Sequence, residues 1–213
     1  MTYKVLTESS CLFEFADEKT RLSVFDALVL KGKITKYEFE DALLIQKQED
    51  TSDKGAFVDG KPVECINVGG KLFISERIKS IFELNKVHAE YFDARVLIDG
   101  KVFGEAYYLF NSQVGIDCLD YDKSQYLREY DDWSDTYNIS NISLLVISEK
   151  LIPNDIPLFF LGEYPDKKKG NRILGDITLI NDALANDLLS ANIRGLNIFD
   201  IEEYTYDWKW ANN

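Results

Sequence analysis

The chain has 213 residues, 46% hydrophobic and 13% aromatic, which is ample apolar material for a packed core and excludes a largely disordered polymer. Its 24 Lys+Arg against 37 Asp+Glu leave a formal net charge of −13, which disfavours nucleic-acid and anionic-membrane partners and favours a basic protein. No run reaches the roughly 18 apolar residues that span a bilayer, and Met1-Thr2-Tyr3-Lys4 does not open a signal peptide, so a cytoplasmic protein without a membrane partner is expected.

The first third reads as strands. Leu12-Phe13-Glu14-Phe15, Leu22 to Leu30 and Ile34 to Ile45 are apolar runs of strand length, and Tyr37-Glu38-Phe39-Glu40 alternates with period two. Lys31-Gly32-Lys33 joins two of these runs as a hairpin, and Gln46 to Gly60 is a polar stretch expected to form an exposed loop ending in a tight turn. That loop suggests either one α+β domain over 1–213 or the same chain in two lobes, 1–66 and 67–213.

Beyond it lies an internal correspondence. Residues 72–92 and 178–198 superpose at a constant offset of 106 positions, and each reads strand, cap, helix, turn, strand. Ser75 and Asn181 are placed as N-caps, whose side chains accept from otherwise unpaired helix N–H groups, and each is followed by an acid, Glu76 or Asp182, favourable at a helix N-terminus. Ile78 and Phe82 match Leu184 and Leu188 at i, i+4 spacing, giving each helix one apolar face. Val87 and Ile193 mark the return of the chain, and Gly195 suits a sterically relaxed position where the first copy has Ala89. Two copies are too few for a solenoid. The expected fold is α+β: a strand-rich N-terminal part, then a mixed sheet with two pseudo-repeated strand–helix–strand units.

Between the copies come a strand at Ala106 to Phe110, an acidic aromatic segment from Asp117 to Tyr137, and a strand at Ile142 to Ile147. Tyr164 to Asn171, with three lysines, reads as a solvated turn. At the C-terminal end Tyr204, Tyr206, Trp208 and Trp210 are spaced by two, as on the core face of a final strand.

The order of these pieces resembles the immunity proteins of bacterial polymorphic toxin systems. The resemblance lies in Leu72 to Ile78 with its Ser75-Glu76-Arg77, in Tyr107 to Asn111 leading to Asp117-Cys118-Leu119-Asp120 and Ser124, and in Ile152-Pro153 leading to Pro157-Leu158-Phe159 and the second helix unit. It covers roughly residues 70–201. Ala89 stands where a glycine is usual, and Thr178 to Asp182 replaces a second Ser-Glu-Arg. What the resemblance implies is a protein that binds and neutralises a cognate toxin inside the producing cell, with no catalytic residues to carry over.

Catalytic and metal chemistry find little footing. His88 is the only histidine, which rules out a multi-histidine metal site, and nothing near Cys118 marks an activated nucleophile. Cys11, Cys65 and Cys118 contain no CxxC pair and are expected as buried thiols. Asp120-Tyr121-Asp122-Lys123-Ser124 imitates the opening of a calcium loop with Asp131 at the twelfth position, but Gln125 occupies the place that needs glycine. No cofactor or metal is expected. The remaining candidate is a surface: from Asp117 to Tyr137 seven acids face two bases, a local charge of −5, interleaved with tyrosines and a tryptophan. Asp120, Asp122, Tyr126, Glu129, Tyr130, Asp131, Asp132, Trp133 and Asp135 are the candidate partner-binding residues, the carboxylates for Lys or Arg of a toxin with a basic surface and the aromatics for contact area. The alternatives from other classes are a small-molecule enzyme and a self-associating structural subunit.

Overall fold

The structure is a computed structural model that describes residues 2–8, 13–15, 42–46, 57–58, 61–68, 71–98, 101–112, 114–132, 135–162, 171–173 and 177–204. In chain order the described strands are β1 (Tyr3–Glu8), β2 (Phe13–Phe15), β3 (Ala42–Gln46), β4 (Phe57–Val58), β5 (Lys61–Pro62), β6 (Cys65–Val68) and β7 (Lys71–Ser75), followed by helix α1 (Glu76–Leu84). Then come β8 (Glu90–Ile98), β9 (Lys101–Val102), β10 (Tyr107–Asn111), β11 (Gly115–Ile116), β12 (Gln125–Asp131), β13 (Thr136–Leu144), β14 (Leu158–Leu161), β15 (Asn171–Ile173) and β16 (Thr178–Asn181). Helix α2 (Asp182–Ser190) and β17 (Leu196–Asp200) complete the set, so the chain is α+β and strand-rich.

Helix α1 starts where Ser75 accepts a hydrogen bond from the Ile78 N–H, and α2 where Asn181 accepts one from the Leu184 N–H. Both caps are the residues expected from sequence. Each helix stops at a left-handed residue, Lys86 with φ 58° and Asn192 with φ 50°. The Lys86 N–H donates to the Glu83 carbonyl and the Val87 N–H to that of Phe82, the two bonds of a Schellman motif; the Asn192 N–H donates likewise to the Leu189 carbonyl. The expectation of a relaxed backbone at Gly195 also holds, with φ 73°.

Each helix carries a crossover between parallel strands that do not touch. β7 and β8 both pair antiparallel with β10, which lies between them, and β16 and β17 both pair antiparallel with β1. These are two split strand–helix–strand arrangements. The first belongs to a seven-stranded sheet ordered β2-β3-β8-β10-β7-β6 with β9 on β8, the second to a five-stranded sheet ordered β11-β14-β16-β1-β17. A three-stranded sheet, β12-β13-β15, and the β4-β5 hairpin complete the architecture among the described residues.

The five-stranded sheet is covered on both faces, which is why β16 is buried along its whole length. On one face Leu6, Leu158 and Ile180 pack with Ile78, Phe82, Leu184 and Leu188 of the helices, and with Ile74 and Phe110 of the seven-stranded sheet. On the other, Val5, Phe159 and Leu179 pack with Ile139, Ile142 and Leu145. A polar hub ties the two helical units together. Glu64, its side chain 1% exposed, accepts from Ser75 Oγ at 3.1 Å, from Arg77 Nη1 at 3.0 and 3.1 Å, and from the Arg194 N–H at 3.1 Å. Arg77 Nη2 also donates to the Ala191 carbonyl at the end of α2, at 2.5 Å, and Asn85 Nδ2 donates to Asp187 at 2.8 Å.

Two sequence expectations need correction. The strand read at Ile142 to Ile147 starts at Thr136 and ends at Leu144, because the left-handed Asn141 (φ 48°) interrupts strict alternation and lets Ile139 and Ile142 share one core. The loop read at Gln46 to Gly60 is partly strand: β3 includes Gln46 and Phe57–Val58 forms half of a hairpin. The runs Leu22 to Leu30 and Ile34 to Asp41, the Lys31-Gly32-Lys33 turn, the lysines of 167–169, Cys11, Trp133, Tyr206, Trp208 and Trp210 lie outside the described residues.

Candidate partner-binding surface

The segment with a charge of −5 folds as a loop followed by a ribbon. Its first part, 117–124, is tied down: the Asp120 N–H donates to the Val146 carbonyl, the Ser148 N–H to that of Cys118, and Leu119 bridges Ile147. Ser124 Oγ donates to the Val146 carbonyl and accepts from the Val146 N–H, both at 3.1 Å. Within this base Asp120 is half-buried and binds Lys123 Nζ at 2.7 Å, an interaction that holds its carboxyl below the ordinary range; Asp122 is exposed. Tyr126 is half-buried, stands edge-on to Tyr121 at 5.9 Å and packs against the core.

The second part is the β12–β13 ribbon. β13 anchors it, since Ile139 and Ile142 enter the core, whereas β12 is exposed along most of its length. Leu127 is 51% and Tyr130 50% exposed. Tyr130 lies opposite Tyr137 with ring centroids 5.1 Å apart, and the Arg128 guanidinium sits 3.8 Å over the Tyr137 ring. Cation–π and aromatic contacts thus hold these three side chains in an ordered stack at the surface. The Tyr130 hydroxyl donates to Asp135 Oδ1 at 2.6 Å, and this bond to the carboxylate raises the tyrosine pKa, so the ring edge remains a neutral donor at physiological pH.

The candidate residues therefore divide. Glu129, Tyr130, Asp131, Asp132 and Asp135 gather at the outer end of the ribbon, with Asp131 half-buried and the other four exposed. Asp120, Asp122 and Tyr126 belong to the base, and Trp133 falls outside the described residues. Sequence reasoning missed Leu127, and it missed the stacking of Arg128 and Tyr130 on Tyr137, which depends on cross-strand register that the spacing of acids does not reveal. It missed Glu64 altogether, for a single acid in a short strand gives no sign of its partners.

Nucleophilic chemistry at Cys118 is disfavoured by its surroundings. The side chain is fully buried, and burial, reinforced by the Asp117 charge, pushes its thiol up to about 12. Among the described residues no three His, Cys, Asp or Glu side chains are grouped to hold a metal ion, and no helix is long and apolar enough to cross a membrane.

Compared with known families, residues 16–202 match the Immunity protein family (Imm11). The chain belongs to that family. The match starts well before the region that carries the sequence resemblance and so takes in most of the N-terminal strands. A search of the curated proteins finds no match. Membership of an immunity family points to an immunity function, to a toxin as the partner and to a non-enzymatic role.

Proposed function

We propose that this chain binds and neutralises a cognate toxin of a polymorphic toxin system in the cytoplasm, without catalysis, through the acidic and aromatic face of residues 117–137. The observation that carries the reading is the ribbon itself, in which Glu129, Tyr130, Asp132 and Asp135 are exposed beside the Arg128–Tyr137 stack. Aromatic rings held in place give contact area with little rotamer entropy left to lose, and the surrounding carboxylates suit a toxin whose active surface is basic. The same charge disfavours nucleic acid and membrane as partners. We further read the chain as one domain, supported by β3 pairing with β8 and β6 with β7 across residue 66. The two helical units are read as copies of one ancestral unit, supported by caps, helix bounds and left-handed stops that all keep the offset of 106.

Co-expression with the toxin encoded by the neighbouring gene tests the function. Cells making this chain are expected to survive, and the two proteins to co-elute in gel filtration. Replacing Asp131, Asp132 and Trp133 by Ala is expected to weaken the complex about 100-fold while leaving the melting temperature nearly unchanged. Full toxin activity beside the wild-type chain would dismiss the immunity reading; an unaltered affinity in the triple variant would remove the ribbon from the interface.

A further inference from the structure

Strand β12 is seven residues long and lies at one end of the β12-β13-β15 order, so among the described residues only its β13 side is paired. In an antiparallel ribbon alternate residues turn their N–H and C=O groups away from the partner strand, and on an end strand those groups face outward. Both faces of β12 are open as well: Leu127, Arg128, Glu129 and Tyr130 are all exposed. Period-two geometry sorts them, with Leu127, Glu129 and Asp131 on one face and Arg128 and Tyr130 on the other.

We propose that β12 receives an extended, Lys- or Arg-bearing segment of the toxin as an added strand, extending the three-stranded sheet by one. The inference rests on the toxin-binding reading above and specifies its geometry. Backbone bonds along the edge supply affinity independent of sequence, while alternate side chains supply selectivity. A cation opposite Glu129 with an aliphatic residue opposite Leu127 would fit one face, and an apolar residue opposite Tyr130 the other. Charge selects this occupant over a second copy of the chain. Two edges from a segment carrying −5 repel each other, and charged side chains on an edge strand are a known guard against self-pairing.

The test is amide hydrogen exchange on the full chain, alone and with a catalytically inactive form of the toxin domain encoded by the neighbouring gene. Alternate amides between Gln125 and Asp131 are expected to slow about tenfold or more on binding. If the toxin is neutralised in cells and binds, yet these amides exchange as before, strand addition is overturned and the immunity reading stands. If the toxin is not neutralised, both fall. Protection of β12 in a homodimer without toxin overturns the proposal in favour of self-association. Arg128→Pro and Glu129→Pro give an independent check, since neighbouring N–H groups point to opposite sides and only one faces β13. The variant that keeps the wild-type melting temperature has lost an outward N–H, and it is expected to bind toxin about tenfold or more weakly than the Ala variant at the same position, which loses the side chain alone. Equal affinity of those two variants overturns the proposal.

Discussion

Helices α1 and α2 are each nine residues long, are capped by residues 106 positions apart and stop at left-handed residues 106 positions apart, yet their flanks are chemically different. Ser75 corresponds to Asn181, Lys86 to Asn192, Arg77 to Ala183 and His88 to Arg194. The backbone course is therefore set by a polar cap, an i, i+4 apolar pair and a left-handed stop, and it tolerates different residues at each. What differs is the link to Glu64. The first unit reaches it through Ser75 and Arg77, the second through the Arg194 backbone and guanidinium, so one carboxylate joins two similar units through unlike contacts.

The most severe way to break that arrangement is Glu64→Ala. It removes the common acceptor of Ser75, Arg77 and Arg194 and is expected to lower unfolding free energy by about 3 kcal/mol, measured by urea titration. A loss below about 1 kcal/mol would mean that the helical units hold together by apolar packing alone. Next in size are the caps. Ser75→Ala and Asn181→Ala are each expected to cost about 1 kcal/mol, with Ser75→Ala the larger because the same hydroxyl donates to Glu64. A double-mutant cycle between Ser75 and Glu64 isolates the difference, and zero coupling would reduce Ser75 to an ordinary cap. The smallest effect is at the stops. Lys86→Gly is expected to raise stability by about 0.5 kcal/mol, the relief of a left-handed Lys less the extra freedom that glycine loses on folding, whereas Asn192→Gly should change it by about 0.2 kcal/mol or less. Equal responses in thermal melts would show that the two stops bear the same backbone cost.

The parts of the fold legible in the sequence are those fixed by near neighbours. Ser75 and Asn181 sit one residue before their helices, and Ile78 with Phe82 and Leu184 with Leu188 show the apolar face without reference to the rest of the chain. The parts that escaped depend on distant partners. β1 carries no mark that it lies between β16 and β17, and Glu64 none that Arg194 approaches it. The bulge at Asn141 also escaped, because one left-handed residue converts the alternation of β13 into a different pattern. For the candidate surface, the density of acids between 117 and 137 pointed to exposure, and Glu129, Tyr130, Asp132 and Asp135 are exposed. Asp120 with its Lys123 partner and Tyr126 against the core show where density of charge alone does not separate a free surface from a braced loop.

The place of β1 has a consequence for how the molecule comes into being. It is an interior strand of the five-stranded sheet, between β16 and β17, and Lys4 binds the Asp200 carboxylate 196 positions further along the chain. During synthesis this strand, the earliest of those described, must wait for its sheet neighbours until β16 and β17 have left the ribosome. Such distant pairing closes slowly, since the entropy of a long loop is lost before any contact compensates it. The seven-stranded sheet faces no such delay for β6, β7, β8 and β10, which lie within residues 65–111 and are free to assemble first. A sheet closed this way is complete only once β17 has been made, so the pairing of β1 is a late step of folding however early its residues are synthesised.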